Sequence, residues 1–370
     1  MPTPHRAGSG KGVCMGDTVD IECGPKDRVH DAIKKTAPGT ALRHALDMII
    51  GGNLGALICI GDTDRVISAG GDGFKLDISF TANRLFELAK MDGAIVIDRD
   101  LTQILRANYH LNPDPSLPTS ETGMRHRTAA RMSLLTDALV VSVSERRQVV
   151  TLYIGGKGYQ LKGVPELMST VNQLLVSMQS TRAQLDRSLL RLTTLELDNY
   201  VTMSDITETI YLFEMLTTIS DELDEYILRL GTAGKSIKMQ RDEFVGTTSD
   251  DYTLLLRDYA KDDHSTEHAA GLRRELHKTA NESLRSPKRV AEFLGYEDLE
   301  DAILKPLGLR TLSNVSVVRK GMADKIVDEF GSLQQLMDDI ERNPSRLDDA
   351  GVENPGILAN SLYRMWGKRA

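Results

Sequence analysis

Two short clusters carry residue types that can do chemistry. The first is Lys90-Met91-Asp92-Gly93-Ala94-Ile95-Val96-Ile97-Asp98. It sets an acid at the mouth of an apolar run that reads as a buried strand. Gly93 and Ala94 carry almost no side chain, so a flat ligand or a phosphate can approach the backbone there. A carboxylate in that place can hold a divalent cation and, with it, activate a hydroxyl nucleophile. The second cluster is Gly123-Met124-Arg125-His126-Arg127-Thr128-Ala129-Ala130-Arg131, just before an apolar helical pattern. Two guanidinium groups, an imidazole and a hydroxyl at a helix start suit a triphosphate. The free N–H groups, the helix dipole and the guanidinium forks all favour a polyanion. Taken alone, each cluster also has a plainer reading: a loop aspartate before a tight turn, and a basic cap on a surface helix.

The elements that must position these residues alternate along residues 37–163. A helix is expected over Ala41–Ile50, stopped by Gly51-Gly52-Asn53. Ala56–Ile60 is a short apolar run between glycines, hence a buried strand, with Arg65–Ala69 as its expected hairpin partner. A helix over Thr81–Met91, capped near Ser79 or Thr81, leads into the strand Ala94–Ile97. Strands are expected over Gln103–Ala107, Leu139–Val143 and Val149–Ile154, with a helix over Arg127–Leu135. Interleaved helices and buried strands predict an α/β domain with a mixed sheet flanked by helices. Gly70-Gly71-Asp72-Gly73 lacks the lysine and hydroxyl of a P-loop and reads as a turn-rich connection.

After Gly163 the texture changes. Leu167, Val171, Leu174, Met178, Leu185, Leu189, Leu192 and Leu195 recur at three-to-four-residue intervals, and neither Gly nor Pro interrupts Glu166–Val201. That predicts one long helix in an all-α unit, then a second over Asp205–Leu230 with Asp205 as its cap. The last seventy residues predict helices over Gly321–Phe330, Ser332–Glu341 and Pro355–Trp366. The expected division is a flexible tail over 1–25, an α/β domain over 26–163, a helical linker domain over 164–300 and a helical C-terminal domain over 301–370.

The chain has 370 residues and a formal net charge of −8, which argues against nucleic-acid binding over its whole surface. Its three cysteines, Cys14, Cys23 and Cys59, lack metal spacing and read as free thiols. His264 and His268 are four apart in a polar stretch and read as surface residues rather than a zinc site. No secretory signal is legible, and the most apolar stretch is broken by Asp47 and several glycines, so a cytoplasmic protein with no membrane partner is the expectation.

Read jointly, the D-G-A and R-H-R clusters resemble the two signatures of the diadenylate cyclase family, in the family's order and on an α/β frame. Gly71–Asp77, Ala107–Leu111, Pro113-Asp114-Pro115 and Val143-Ser144 extend the match. The long helical middle and a C-terminal helix-hairpin-helix domain resemble one branch of that family. The resemblance covers nearly the whole chain after residue 30. It implies condensation of two ATP into cyclic di-AMP and two pyrophosphates, with Mg²⁺ or Mn²⁺ as cofactor. Asp92 would bind the metal and help activate a ribose 3′-hydroxyl, and Asp92, Arg125 and Arg127 would be the catalytic set. Gly93 and Ala94 would line the nucleotide, and the Leu111 backbone would recognise the adenine edge. Met124, Arg125, His126, Arg127, Thr128 and Ser144 would complete the ATP-binding residues. Each ATP must present its 3′-hydroxyl to the other's α-phosphate, so two sites must face each other; in that branch the assembly is an octamer. The C-terminal domain would sense branched DNA, with Arg319, Lys320 and Lys325 as the phosphate contacts and Arg310 on the same basic face.

Two departures qualify the match. Relatives in that branch usually carry threonine where this chain has Met124, which removes a hydroxyl beside the arginines. That loss is worth about 1.5–3 kcal/mol against a charged partner and predicts reduced activity. A nucleotide-binding sensor with weak or lost turnover is therefore the rival reading. In the C-terminal unit, Glu353 stands where a hairpin glycine would let backbone N–H groups reach phosphate. Residues 301–370 hold ten Lys/Arg and ten Asp/Glu, so the unit is neutral. A packing or regulatory module is the alternative to DNA binding.

Overall fold

The computed structural model describes residues 25–297, 303–319, 321–342, 352 and 355–367. The chain divides into two compact units, one of residues up to Thr170 together with Glu225–Ser236, the other of Val171–Asp224 together with Ile237 onward.

The first unit is built on strands β1 (Ala56–Ile60), β2 (Gly70–Gly71), β3 (Phe74–Ser79), β4 (Ala94–Ile97), β5 (Gln103–Leu111), β6 (Leu139–Ser144), β7 (Val149–Ile154) and β8 (Lys157–Gln160). They form a mixed sheet in the order β2-β5-β4-β1-β6-β7-β8, with β3 also paired to β5. β1 runs parallel to β4 and antiparallel to β6. The apolar runs need no polar alternation because both sheet faces are covered. Ile58, Ile60, Ile95 and Ile97 pack into one core with Ala32, Leu42, Leu46, Ile49 and Leu85, from helices α1 (Pro25–Lys35), α2 (Ala41–Gly51) and α4 (Ala82–Leu88). Leu57, Cys59, Ala94 and Val96 face the other way, against Val66 of α3 (Thr63–Ser68) and Ala129, Ala130 and Met132 of α5 (Met124–Leu135). Alternate residues of one strand thus feed two cores.

Several expectations shift. Residues 65–69 are not a hairpin partner of β1. Gly61 and Asp62 both take left-handed conformations, which turns the chain into α3, and β6 occupies the place beside β1. α1, β3 and β8 were not expected. β5 runs on to Leu111, through Asn108 at φ +49°, a local irregularity that hides the strand pattern. Thr81 caps α4, accepting the Arg84 N–H at 3.2 Å.

In the second unit, of the expected helical seam, Val171, Met178, Leu185 and Leu192 are buried. The long helix Val164–Asp198 stops earlier than expected, at Asn199 with φ +57°. Val201–Thr202 instead pairs with Ile303–Leu304. Asp205 lies in the first turn of the helix Met203–Leu230 and reaches back, accepting from the Thr202 N–H at 3.0 Å and hydroxyl at 2.6 Å, the acidic half of a capping box. Helices Leu309–Ser313, Met322–Phe330, Leu333–Arg342 and Pro355–Trp366 share a core of Leu309, Leu312, Ile326, Leu336, Leu358 and Leu362.

This unit also corrects the basic face. Arg310 is buried and donates to Glu196 at 2.7 Å and Thr193 at 3.0 Å, so it is unavailable to a surface ligand. Arg319 and Lys325 are exposed. Lys320, Glu353 and most of the hairpin expected around Glu353 lie outside the described residues, as does nearly all of the expected flexible tail.

Candidate functional site

Strand register brings the two chemical clusters to one end of the sheet. Leu57 of β1 pairs with Ala94 of β4, and Ala56 pairs with Val143 of β6. The start of β1, the start of β4 and the end of β6 therefore share an edge. Ser144 ends β6, half-buried, its hydroxyl 3.4 Å from the Arg147 N–H. Leu111 ends β5 at the same edge, half-buried and paired with Gly70.

Asp92 stands exposed in the turn between α4 and β4. Gly93 has φ +87°, and a Cβ there would lie 2.8 Å from the Asn108 carbonyl carbon and 2.9 Å from the Tyr109 nitrogen. The glycine is demanded first by the β5 backbone, and only secondarily by anything that approaches from solvent. Ala94 is buried within β4, its backbone partnered by Leu57 and Tyr109. Tyr109 is fixed in turn by its hydroxyl, which donates to the Ile67 carbonyl at 2.6 Å.

α5 begins at Met124, three residues earlier than expected, so the basic cluster forms its first turn. Gly123 is the N-cap, in an extended conformation, and offers no side-chain cap. The Arg127 N–H makes the first helical bond, to the Gly123 carbonyl at 2.8 Å. The amides of Met124, Arg125 and His126 thus have no intrahelical acceptor. Met124 and Arg127 are exposed; Arg125, His126 and Thr128 are half-buried. Arg125 lies across Gly55, and its Nη1 donates to the Val143 carbonyl at 3.3 Å. A Cβ on Gly55 would sit 2.0 Å from that Nη1. His126 Nδ1 lies 2.8 Å from the Tyr153 hydroxyl, the rings tilted by 59°. Burial, then a hydrogen bond to Glu121, pushes the Tyr153 phenol well above its ordinary range.

Gly55, Glu121 and Tyr153 escaped the sequence reading. Gly55 looked like a strand boundary and Tyr153 like one more buried strand residue; nothing local ties either to a helix seventy or twenty-seven positions away. Among the cavities of this unit, one of 610 Å³ is lined by Arg28, Arg65 and Asp137, and one of 430 Å³, lined by Arg28, Lys34, Arg99, Ile60 and Leu139, lies at the opposite end of the sheet, where β1 ends and β6 begins. Among the described residues no helix is long and apolar enough to cross a membrane.

A family model described as DisA bacterial checkpoint controller nucleotide-binding matches residues 43–158. A second, described as DisA bacterial checkpoint controller linker region, matches residues 161–303. The DNA integrity scanning protein DisA of Symbiobacterium thermophilum is 40% identical over 305 residues, covering 82% of this chain and 86% of its own. That of Fusobacterium nucleatum is 39% identical over 316 residues, covering 85% and 90%. That of Corynebacterium efficiens is 38% identical over 363 residues, covering 95% and 100%.

Proposed function

Because the chain belongs to the DisA family, we propose that it is a diadenylate cyclase, condensing two ATP into cyclic di-AMP and two pyrophosphates across facing sites of an oligomer. The observation that carries this reading is the sheet register that collects Asp92, Arg125 and Ser144 at one edge, beside the unpaired amides of α5. Arg125, Arg127 and the α5 amides bind the triphosphate, with His126, Thr128 and Ser144 as further phosphate contacts. The Leu111 backbone meets the adenine edge, and Gly93 and Ala94 form the floor of the site. Such transfers depend on positioning and charge neutralisation more than on covalent help from the protein.

The described residues contain no group of three or more metal-ligating side chains. The single exposed carboxylate of Asp92, in the turn before β4, suits Mg²⁺ or Mn²⁺ arriving with the nucleotide, since such ions keep waters and need only one or two carboxylates besides phosphate oxygens. Asp92 would hold the ion, which supplies charge neutralisation at the phosphates and lowers the cost of deprotonating the 3′-hydroxyl. Asp92 itself orients that hydroxyl.

One site holds one ATP, so turnover needs a second copy facing it; the family resemblance points to a homo-octamer. In the C-terminal module, exposed Arg319 and Lys325, with Lys320, are the proposed contacts to branched-DNA phosphates. A salt-dependent shift of branched DNA by the full-length protein supports that assignment, and no shift at low salt removes it.

Incubation of the purified protein with ATP and Mn²⁺ should yield cyclic di-AMP; its absence would defeat the cyclase reading in favour of a nucleotide sensor. Met124→Thr adds a hydroxyl at the first residue of α5 and should raise kcat/KM roughly ten- to a hundredfold, as expected for one hydrogen bond to a charged group. Gly55→Ala should do the reverse. Its Cβ takes the space of the Arg125 guanidinium, and ATP affinity by calorimetry should fall about tenfold or more with the fold intact. Unchanged affinity would mean that Arg125 does not touch the triphosphate.

A further inference from the structure

Asn108 lies within β5 and stands against the turn that carries Asp92. Its φ of +49° is left-handed, outside the ordinary range for a strand residue. The register shows why. Ala94 pairs with Tyr109 and Val96 with Arg106, so Ile95 alone faces Ala107 and Asn108. That is a β-bulge, one residue too many on β5. The bulge turns the strand over: Ala107 packs into the core that α2 and α4 cover, whereas Tyr109 packs into the core that α5 covers. Asn108 stands between them, half-buried. Two glycines press on its backbone, one beside β3 and one beside β4. A Cβ on Gly73 would lie 2.5 Å from the Asn108 carbonyl oxygen, and one on Gly93 would lie 3.0 Å from the Asn108 Cα. The bulge is therefore clamped, and one jaw of the clamp is the residue after Asp92. Bulges beside active sites re-aim a side chain, and here the side chain is an amide with nothing to do inside the protein. Among the described residues it makes no hydrogen bond, and its nitrogen and oxygen reach solvent. The plainer reading is that asparagine merely tolerates the left-handed conformation. On that reading glycine would serve as well.

We propose that Asn108 is a specificity-determining residue that hydrogen-bonds the 2′-hydroxyl of the nucleotide ribose. The inference rests on the cyclase reading, in which Asp92 orients the 3′-hydroxyl and the Leu111 backbone, three residues further along β5, meets the adenine edge. A group beside Asp92 and short of Leu111 falls on the sugar, and the 2′-hydroxyl is the neighbour of the 3′-hydroxyl. A hydroxyl both donates and accepts, and an amide side chain offers one group of each kind. A site built to bond a substrate hydroxyl rejects the analogue that lacks it, because its own polar group is then left unpaired. The site thus prefers ribonucleotides to 2′-deoxyribonucleotides.

The test separates contact from conformation. Glycine holds a φ of +49° without strain, so Asn108→Gly removes the amide and spares the bulge. Circular dichroism and the thermal midpoint should stay close to those of the wild type. The probes are 3′-deoxyATP and 2′,3′-dideoxyATP with Mg²⁺. Neither can condense, and they differ only in the 2′-hydroxyl. By calorimetry on the full-length protein, the wild type should bind 3′-deoxyATP about tenfold more tightly than the dideoxy probe, the worth of one hydrogen bond. Asn108→Gly should bring the two affinities together, by weakening 3′-deoxyATP and leaving 2′,3′-dideoxyATP as it was. In turnover, the preference for ATP over 2′-deoxyATP in kcat/KM should shrink by the same factor. A wild type that binds both probes equally, a preference that survives in Asn108→Gly, or an equal loss for both probes would each overturn the proposal, the last by showing a purely structural role. Failure of the cyclase reading looks different. A wild type that makes no cyclic di-AMP yet keeps a probe preference that Asn108→Gly abolishes loses the turnover and retains the Asn108 contact. One that binds no adenine nucleotide loses both.

Discussion

Gly93→Ala is expected to cut cyclic di-AMP formation by about a hundredfold or more, far beyond what one added methyl usually does. Two costs combine. An alanine at φ +87° is strained, by about 1–3 kcal/mol. Its Cβ would also lie 2.8 Å and 2.9 Å from the backbone of Asn108 and Tyr109. Those are β5 main-chain atoms, held in the sheet and by the Tyr109 hydroxyl bond to Ile67; they cannot swing aside as a flexible side chain would. The turn carrying Asp92 must move instead. A displacement of about 1 Å at a reacting group costs on the order of a hundredfold in rate. Product formation and the thermal midpoint, measured together, check this: activity should collapse while the midpoint falls by only a few degrees. Gly51→Ala is the control, since nothing lies within 4 Å of a Cβ there and its backbone is helical. Equal activity in Gly93→Ala and wild type would show that the turn tolerates movement and that Asp92 is not a positioned group.

Arg310→Met should destabilise the second unit by about 3–5 kcal/mol, the usual cost of stripping one partner from a buried ion pair. Glu196 is 1% exposed and accepts from Arg310 at 2.7 Å, Thr311 at 2.5 Å and the Tyr259 hydroxyl at 2.8 Å. Asp258 lies in the same cluster, capping the start of the helix Leu309–Ser313 through the N–H groups of Gly308 and Leu309, at 2.9 and 2.7 Å, and of Arg310, at 3.0 Å. Burial first, and then Glu196, push the Asp258 carboxyl up to about 7. Arg310 is therefore the one buried cation between two acids, and methionine would leave their repulsion unopposed. Urea unfolding should show the loss. Adding Glu196→Gln should recover part of it, because the excess negative charge goes too. A single substitution costing under about 1 kcal/mol would mean that the pair is effectively solvated.

The α/β class, the buried strands and the long helices were legible because local periodicity and glycine punctuation carry them. Ala56–Ile60 and Ala94–Ile97 were read to the residue, since a five- or four-residue apolar run between turns has few other uses. The α3 segment misled because Arg65 to Ala69 is too short for either period to declare itself, and its form was settled by two left-handed residues before it. Arg310, expected on the C-terminal basic face, misled for a different reason. An arginine in a sequence looks exposed, and only the acids that gather around Arg310 from residues 196 and 258 make its burial affordable.

The residues proposed for the chemistry, Asp92, Arg125, His126 and Arg127, were picked out by the sequence alone, because their side-chain types can be read without knowing where they lie. Their convergence was decided by tertiary structure. Asp92 and Arg125 share an edge only because β1 pairs parallel with β4 on one side and antiparallel with β6 on the other. Strand order and register are non-local choices, made by how two cores fill on opposite faces of the sheet, and no local propensity encodes them. The same holds for the space that Gly55 leaves for Arg125 and for the Tyr153 hydroxyl behind His126, contacts that exist only once α5 has packed on one face of the sheet.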